Sequence, residues 1–513
     1  MSLMSAISSI SGLRDLLPHA AALVVVIPLL AGPIAVILAK ARLAWLWSVL
    51  VAAAAFGLSL VLLGTVLGGE TITYEMGNWP APLGIIYYVD SLNALVISLV
   101  SGMALLALLY GWPMVEREIE PKKQAMFFGT FLICLAGLIG VAITGDAFNV
   151  FVFLEVSSIS TYVLVAMGAG QNRQALTASF NYLILGTIGA TFFVIGVGLL
   201  YMATGTLNMA DISRLLADGD NDRVVRAAFS FIVIGLGLKT AMFPLHTWLP
   251  NAYAFSPSMI GVFLASTATK VAFYTLIRFL FSVFHAGAPF ETAMFDYVLA
   301  PMAITAMIVC SVQASFQPDV RRLLAYSSVA QLGYMLLGLS MGTVAGLSAG
   351  LLHMFNHALM KGALFMAVGL ATLGLGVIQV SEMRGMGKTM PLTAAGLSIA
   401  GLSLMGVPLT AGFVSKYYLV IAALERGWWW AVAAIVVSSV LAIFYIGRMI
   451  EAMYLQKPPS HGDDPVIVVR SPILAIVPLY ILVAANIWFF FDPSVPKGLA
   501  DSAATLLLGG GAP

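Results

Sequence analysis

Apolar runs of about 20 residues follow one another along almost the whole chain, separated by short polar stretches. As helices, runs of this length cross a hydrocarbon core of roughly 30 Å. Lipid offers no partner to an unpaired backbone group, so each crossing must close its own hydrogen bonds. The alternation of short apolar segments that a barrel needs is absent. The pattern therefore predicts an all-α polytopic membrane protein of about fourteen transmembrane helices. The spans are 20–39, 43–67, 90–112, 124–145, 147–169, 174–204, 224–248, 257–284, 294–316, 322–342, 344–376, 391–424, 428–455 and 472–492. Between Asn208 and Arg226 acidic and basic residues mix, with room for a short surface helix. Met1 to Pro18 reads as a weak amphipathic stretch without a basic cluster, expected to be retained. The glycines from Gly509 onward predict a flexible tail, and no separate soluble domain fits.

Composition agrees. Of 513 residues, 61% are hydrophobic and 9% charged, and the mean hydropathy is +1.00. A soluble domain needs far more charge to coat its surface. A net charge of +1 argues against nucleic acid as a partner. Cys134 and Cys310 are too few for an iron–sulfur cluster or a disulfide framework and read as small buried hydrophobes. Loops after odd-numbered spans hold thirteen Lys and Arg residues, among them Lys40, Arg117, Lys122, Lys123, Arg321 and Arg448. The other side holds seven, namely Arg14, Arg214, Arg223, Arg226, Arg278, Arg426 and Lys497. The excess places both termini on the outer side.

Four basic residues remain, and they lie inside spans: Lys239, Lys270, Lys361 and Lys416. Each costs about 2.5–3.5 kcal/mol at a helix centre, so the four together cost on the order of 10–14 kcal/mol unless paired or hydrated. A Leu or Ile returns only about 0.3–0.6 kcal/mol. Snorkelling to the headgroups is the ordinary explanation, but these residues sit well inside their spans. One acid lies equally deep. Glu155 stands nine residues beyond Asp146, about 13.5 Å up a helix. An acid whose charge depends on a neighbouring lysine is a natural proton gate; the plainer alternative is a static pair that orders two helices.

Two lysine-bearing spans are also broken. Lys239 is followed by Pro244 and Pro250, and Lys416 is preceded by Gly406, Pro408 and Gly412. Membrane helices tolerate such breaks mainly where freed carbonyls line a cavity or meet protein. Discontinuous helices at corresponding places in two halves point to a transport site. The spacing that carries Lys239 onto Lys416 carries Glu155 to about Gln331 and Leu332, which suggests a five-helix repeat of spans 4–8 and 9–13. An odd number of helices inverts the second copy. Span eleven sets His353, His357 and Lys361 four apart on one stripe. Two histidines so spaced could hold zinc, but no third ligand lies nearby in sequence, so no metal is expected. Proton relay suits residues that titrate near neutrality, and structural histidines are the alternative. Ser327, Ser328, Gln331 and Tyr334 could extend a hydrated path or simply pack helices. His246, beside the break in span seven, is placed to link Lys239 to one surface.

Gly387-Lys388-Thr389 looks like the end of a phosphate loop, but Glu382 stands where its first glycine belongs. The tryptophans 428–430 read as an interfacial belt. Nothing resembles a nucleotide, flavin or haem site, so neither a cofactor nor redox chemistry is expected.

At Gly145–Glu155, Gly205–Ile212, Leu238–Pro250 and Ser327–Tyr334 the sequence resembles the antiporter-like subunits shared by Mrp-type cation/proton antiporters, respiratory complex I and membrane-bound hydrogenases. Around Glu155 and Asn208 it is most similar to the D-type member of the Mrp antiporter subunits. The resemblance implies fourteen helices, with helices 1–3 in 1–123, inverted repeats in 124–284 and 285–455, and helix 14 with a tail in 456–513. It implies that Glu155 and Lys239 gate one half-channel. Lys270 would connect the halves, and the span-eleven residues would continue to Lys416 near the exit; Lys361 has no clear place in that relay. The long C-terminal lateral helix of the largest complex I relative has no counterpart here. The implied function is that of a proton-translocating subunit of a multisubunit Na⁺/H⁺ antiporter in the bacterial inner membrane. Its partners would be other membrane subunits, the lipid bilayer, protons and sodium. The alternative is a proton-pumping subunit of a complex I-type or hydrogenase assembly, in which the chain would form part of a translocase without catalytic chemistry of its own. A third possibility is a non-transporting scaffold.

Overall fold

The computed structural model describes residues 17–217, 222–285, 289–457 and 471–509. Nearly all of the N-terminal amphipathic stretch, and all of the glycine tail but Gly509, lie outside them. Helices start where a polar residue can take up the orphan N–H groups of the first turn. Asp90 accepts from Leu92 and Asn93 while the Asn93 side chain reaches back to the Asp90 N–H. Asp146, Asp319 and Thr343 cap in the same manner.

In chain order the helices are α1 (Ala20–Ile37), α2 (Ala41–Leu67), α3 (Ser91–Glu118), α4 (Gln124–Ile143), α5 (Ala147–Ala166) and α6 (Gln174–Thr204). The predicted surface helix follows at Met209–Ala217. Next come α7a (Asp222–Thr240) and α7b (Leu249–Phe255), then α8a (Ser258–Ser266) and α8b (Ala268–Ile277), the letters marking halves of an interrupted helix. The rest are α9 (Ala300–Phe316), α10 (Val320–Ser340), α11 (Val344–Leu375), α12a (Pro391–Met405), α12b (Ala411–Glu425), α13 (Trp429–Tyr454), α14 (Ile473–Phe491) and α15 (Ser494–Leu508). Among the described residues, twelve helices are long and apolar enough to cross a membrane, and α12a is a shorter apolar helix. The chain is thus a mostly helical, multi-pass membrane protein.

Span seven breaks after Thr240 and resumes at Leu249 with Pro250 in its first turn. Span twelve breaks after Met405, where Gly406 takes a positive φ of 87° that a side chain would strain. Three features depart from expectation. Span eight is interrupted as well, at Thr267, without any proline or glycine. Strands β1 (Ile72–Glu75) and β2 (Ile86–Val89) pair antiparallel, Ile72 opposite Val89, in a loop the helical pattern passed over. The amphipathic helix α15 lies beyond the last predicted span and packs on α11 with Leu499, Ala500, Ala503 and Ala504 buried.

Burial orders the bundle. Helices α8 and α10 are almost wholly enclosed and α11 largely so, while α2, α6, α13 and α14 turn most of their surface outward. The central helices are the ones that carry Lys270, the two histidines and Lys361. Cys134 and Cys310 are free and buried.

Candidate functional site

The first cluster joins α5 and α7a. Lys239 Nζ lies 3.2 Å from Glu155 Oε1 and donates to Ser158 Oγ at 2.7 Å. Glu155 and Ser158 are three apart and so share one helix face. The lysine side chain is 6% exposed and the glutamate 23%, so the acid lies toward the outside of the chain and the base toward its centre. A cavity of about 30 Å³ touches Lys239, Ser158, Tyr182, Ala268 and Val271. That volume accommodates a water molecule, and it brings α8b, the helix of Lys270, to the lysine's own space. The α7 break closes nearby. Trp248 Nε1 donates to the Leu238 carbonyl at 3.0 Å, and its ring stacks on Tyr182 at 4.1 Å and 3°.

Lys270 donates to the Ala265 carbonyl, the group that the break at Thr267 releases. It lies within electrostatic reach of His353, His357 and Lys361 on α11. His353 is fully bonded: Nε2 pairs with Gln331 Oε1 at 3.0 Å, and Nδ1 with Ser415 Oγ at 2.9 Å. A neutral ring with the proton on Nε2 satisfies both contacts, because an amide oxygen only accepts. His353 and His357 stack at 6.3 Å and 10°. His357 is wholly buried, and neither of its ring nitrogens has a protein partner, which makes it the place in the row where water is most needed. Lys361 donates to the Leu324 carbonyl at 2.7 Å and to Ser327.

Lys416 ends the row. Its Nζ donates to the Leu404 and Met405 carbonyls, each at 3.0 Å, and to Ser439 Oγ at 3.3 Å, and sits 4.8 Å from the centre of the Tyr334 ring. The C-terminal end of α12a therefore points its partial negative charge at the ammonium. The two predicted breaks serve differently. In α12 the freed carbonyls hold the lysine; in α7 Trp248 takes one of them and the lysine pairs with an acid. His246 lies in the α7 break, stacked on Phe243 at 5.2 Å, with Cys310 Sγ 3.9 Å from Nε2 and Tyr326 edge-on at 6.5 Å. Its neighbours thus include α9 and α10.

One buried ion pair was missed. Arg278, counted above among loop residues, is buried at the end of α8, and its guanidinium meets the Asp90 carboxylate bidentately at 2.7 and 2.8 Å. The signal was present, since Arg278 stands eight residues beyond Lys270 on the same stripe. Trp248, Ser415 and Ser439 were also passed over, because a hydrogen bond to a carbonyl or an imidazole leaves no pattern in the sequence.

A bundle of apolar helices, three of them interrupted within reach of Lys239, Lys270 and Lys416, and holding ionisable groups at its centre, defines a multi-pass membrane protein of the transport kind. The chain belongs to the NADH:quinone oxidoreductase/Mrp antiporter transmembrane family, whose pattern matches residues 144–442. It is 42% identical over 447 residues to a NADH-quinone oxidoreductase subunit N of Desulforudis audaxviator, covering 86% of this chain and 88% of that one. It is 28% identical to the D-type member of the Na(+)/H(+) antiporter subunits of Alkalihalophilus pseudofirmus, over 80% of this chain and 81% of that one. A chain in the structure of the membrane-bound sulfane sulfur reductase, an archaeal respiratory membrane complex, superposes with a TM-score of 0.86 at 32% identity. That match covers 95% of this chain and 97% of its counterpart.

Proposed function

We propose that this chain is the proton-translocating subunit of a multisubunit assembly that exchanges a monovalent cation, sodium, for protons. The observation that carries the reading is the Glu155–Lys239 pair, whose lysine shares a water-sized cavity with the helix of Lys270. Neutralising Glu155 or deprotonating Lys239 weakens their attraction. A proton then passes by way of Lys270 to His357 and His353, and on to Lys416. Lys361 of α11, its ammonium bonded to α10, raises the positive potential beside Lys270, and His246 connects the α7 break to the second half of the chain. Residues 124–284 and 285–455 act as two inverted five-helix units, after helices 1–3 in 1–123 and before helix 14 and the tail in 456–513. The Lys- and Arg-rich side faces the cytoplasm of a bacterial cell, leaving both termini outside. Other membrane subunits cover the partly exposed Glu155 side chain.

A second reading keeps the relay and changes the driving force. The 42% identity to a NADH-quinone oxidoreductase subunit N and the 32% identity to a chain of a respiratory complex favour a pump driven by redox partners. Purifying the native complex separates the two, through small antiporter subunits in one case and iron–sulfur and quinone-binding subunits in the other. In either assembly a Lys239→Ala variant that still assembles should lose driven proton flux in membrane vesicles. Undiminished flux would leave only a scaffold.

A further inference from the structure

Lys270, Tyr274 and Arg278 follow at four-residue spacing along α8b and the helical turn that extends it, so they form one stripe. The relay proposed above uses only the first. From the surface that carries the β-hairpin, a cavity of about 350 Å³ descends to the other two, lined by Thr73, Tyr88, Thr144, Tyr274, Arg278 and Ser282 among others. Tyr274 donates its hydroxyl proton to the Ala142 carbonyl at 2.7 Å and leaves a lone pair that Arg278 Nε approaches at 3.4 Å. Along the helix Tyr274 stands one turn, about 6 Å of rise, beyond Lys270. Beside Met209 in the cavity wall, Asn208 leaves its buried Nδ2 without a protein partner, a donor that calls for water.

The Asp90–Arg278 pair fits this setting. A buried ion pair rarely stabilises more than an apolar pair of the same volume would, so its retention asks for another reason. Arg278 lines the cavity and Asp90 lies behind it. A proton moving inward therefore meets a guanidinium first, and a fixed positive charge in a polar passage is a barrier to cations. Asp90 holds that charge to one side by two bonds, where a shift of the carboxylate would move it.

We propose that this cavity is the mouth of a second proton route, running from Lys270 past Tyr274 to the hairpin surface and gated by Arg278 on its Asp90 tether. Lys270 is then a junction: in each turnover one proton received from Lys239 leaves by the near mouth and the next crosses to α11, so that closing either path stops both. The N–H bond of the Lys270 ammonium breaks toward a water at the inner end of the cavity. The amine is left neutral, and the Tyr274 oxygen accepts from that water while the charge moves outward. The inference rests on the reading that this chain moves protons.

The test uses the assembled complex in oriented vesicles, in a Cys134→Ala/Cys310→Ala background. The Tyr274→Phe variant, which keeps the ring and loses the hydroxyl, should lower driven proton flux at least tenfold. In the Ser282→Cys variant a bulky membrane-impermeant thiol reagent should react only from the hairpin side and should block flux at least tenfold. Full flux in Tyr274→Phe, reaction from the opposite side or from neither, or unchanged flux after complete reaction would each overturn the route. Thiol accessibility does not depend on transport. If Lys239→Ala retained full flux, the labelling would still report whether the cavity opens where the structure places it.

Discussion

Four lysines share one problem and meet it with different chemistry. Among the described residues, Lys239 alone of the four has a carboxylate partner; Lys270, Lys361 and Lys416 rely on backbone carbonyls and hydroxyls. A carbonyl accepts from an ammonium and from a neutral amine alike, so a lysine held this way keeps a bond after giving up its proton. When Lys239 gives up its proton, Glu155 loses its counter-charge in the same event. That difference was beyond the sequence, which marks where a lysine interrupts an apolar run but not which carbonyl a break sets free. Replacing Lys416 by Met should leave the Leu404 and Met405 carbonyls unbonded, at a cost of about 1–3 kcal/mol, read as a lower Tm in detergent. Outside the spans, burial raises the Asp319 carboxyl above the usual aspartate value of 3.8, against its bond from the Arg322 N–H and the charges of Arg321 and Arg322. Between the ordinary and the raised value the folded chain binds more protons than the unfolded one, so stability falls as pH rises through that window and is level above it. An Asp319→Asn variant, still able to cap α10, should lose this component when Tm is followed against pH.

At the scale of elements, what could be read ahead tracks how local its cause is. The breaks in spans seven and twelve were visible because Pro244, Pro250, Gly406, Pro408 and Gly412 act on their own backbone. The interruption at Thr267 was not, because the side-chain bond from Lys270 back to the Ala265 carbonyl that accompanies it leaves no pattern and no proline or glycine marks it. The hairpin was hidden for the opposite reason. Its Ile, Thr and Tyr residues have strand character, but they sit between two spans long enough to claim attention. Helix α15 could have been found from Leu499, Ala503 and Leu507 at helical spacing. At Gly412 a methyl group would come within 1.9 Å of the Ser403 carbonyl oxygen, which belongs to backbone and cannot turn away. Gly412→Ala should therefore displace α12b, with Ser415 and Lys416 on it, and reduce driven proton flux at least tenfold. Gly447 has open space where a methyl would stand, and Gly447→Ala should leave the same flux unchanged.

Across the whole molecule the side chains of the polar row are buried inside the bundle, so its charges are solvated by protein. Glu155 is the exception, being partly exposed at the flank that the proposed assembly would cover. If the two halves are repeats as proposed, they answer each other only loosely: near the position that would match Glu155 stands Gln331, which bonds His353 instead of a lysine. A further consequence lies in the stacked rings of Trp248 and Tyr182. Trp248 clasps the carbonyl of Leu238 across the gap in α7, and Tyr182 forms part of the wall beside Lys239. Bending at that hinge must either slide one ring over the other or pull the tyrosine outward. In the second case, flexing of the backbone and widening of the space beside the lysine are a single mechanical stroke.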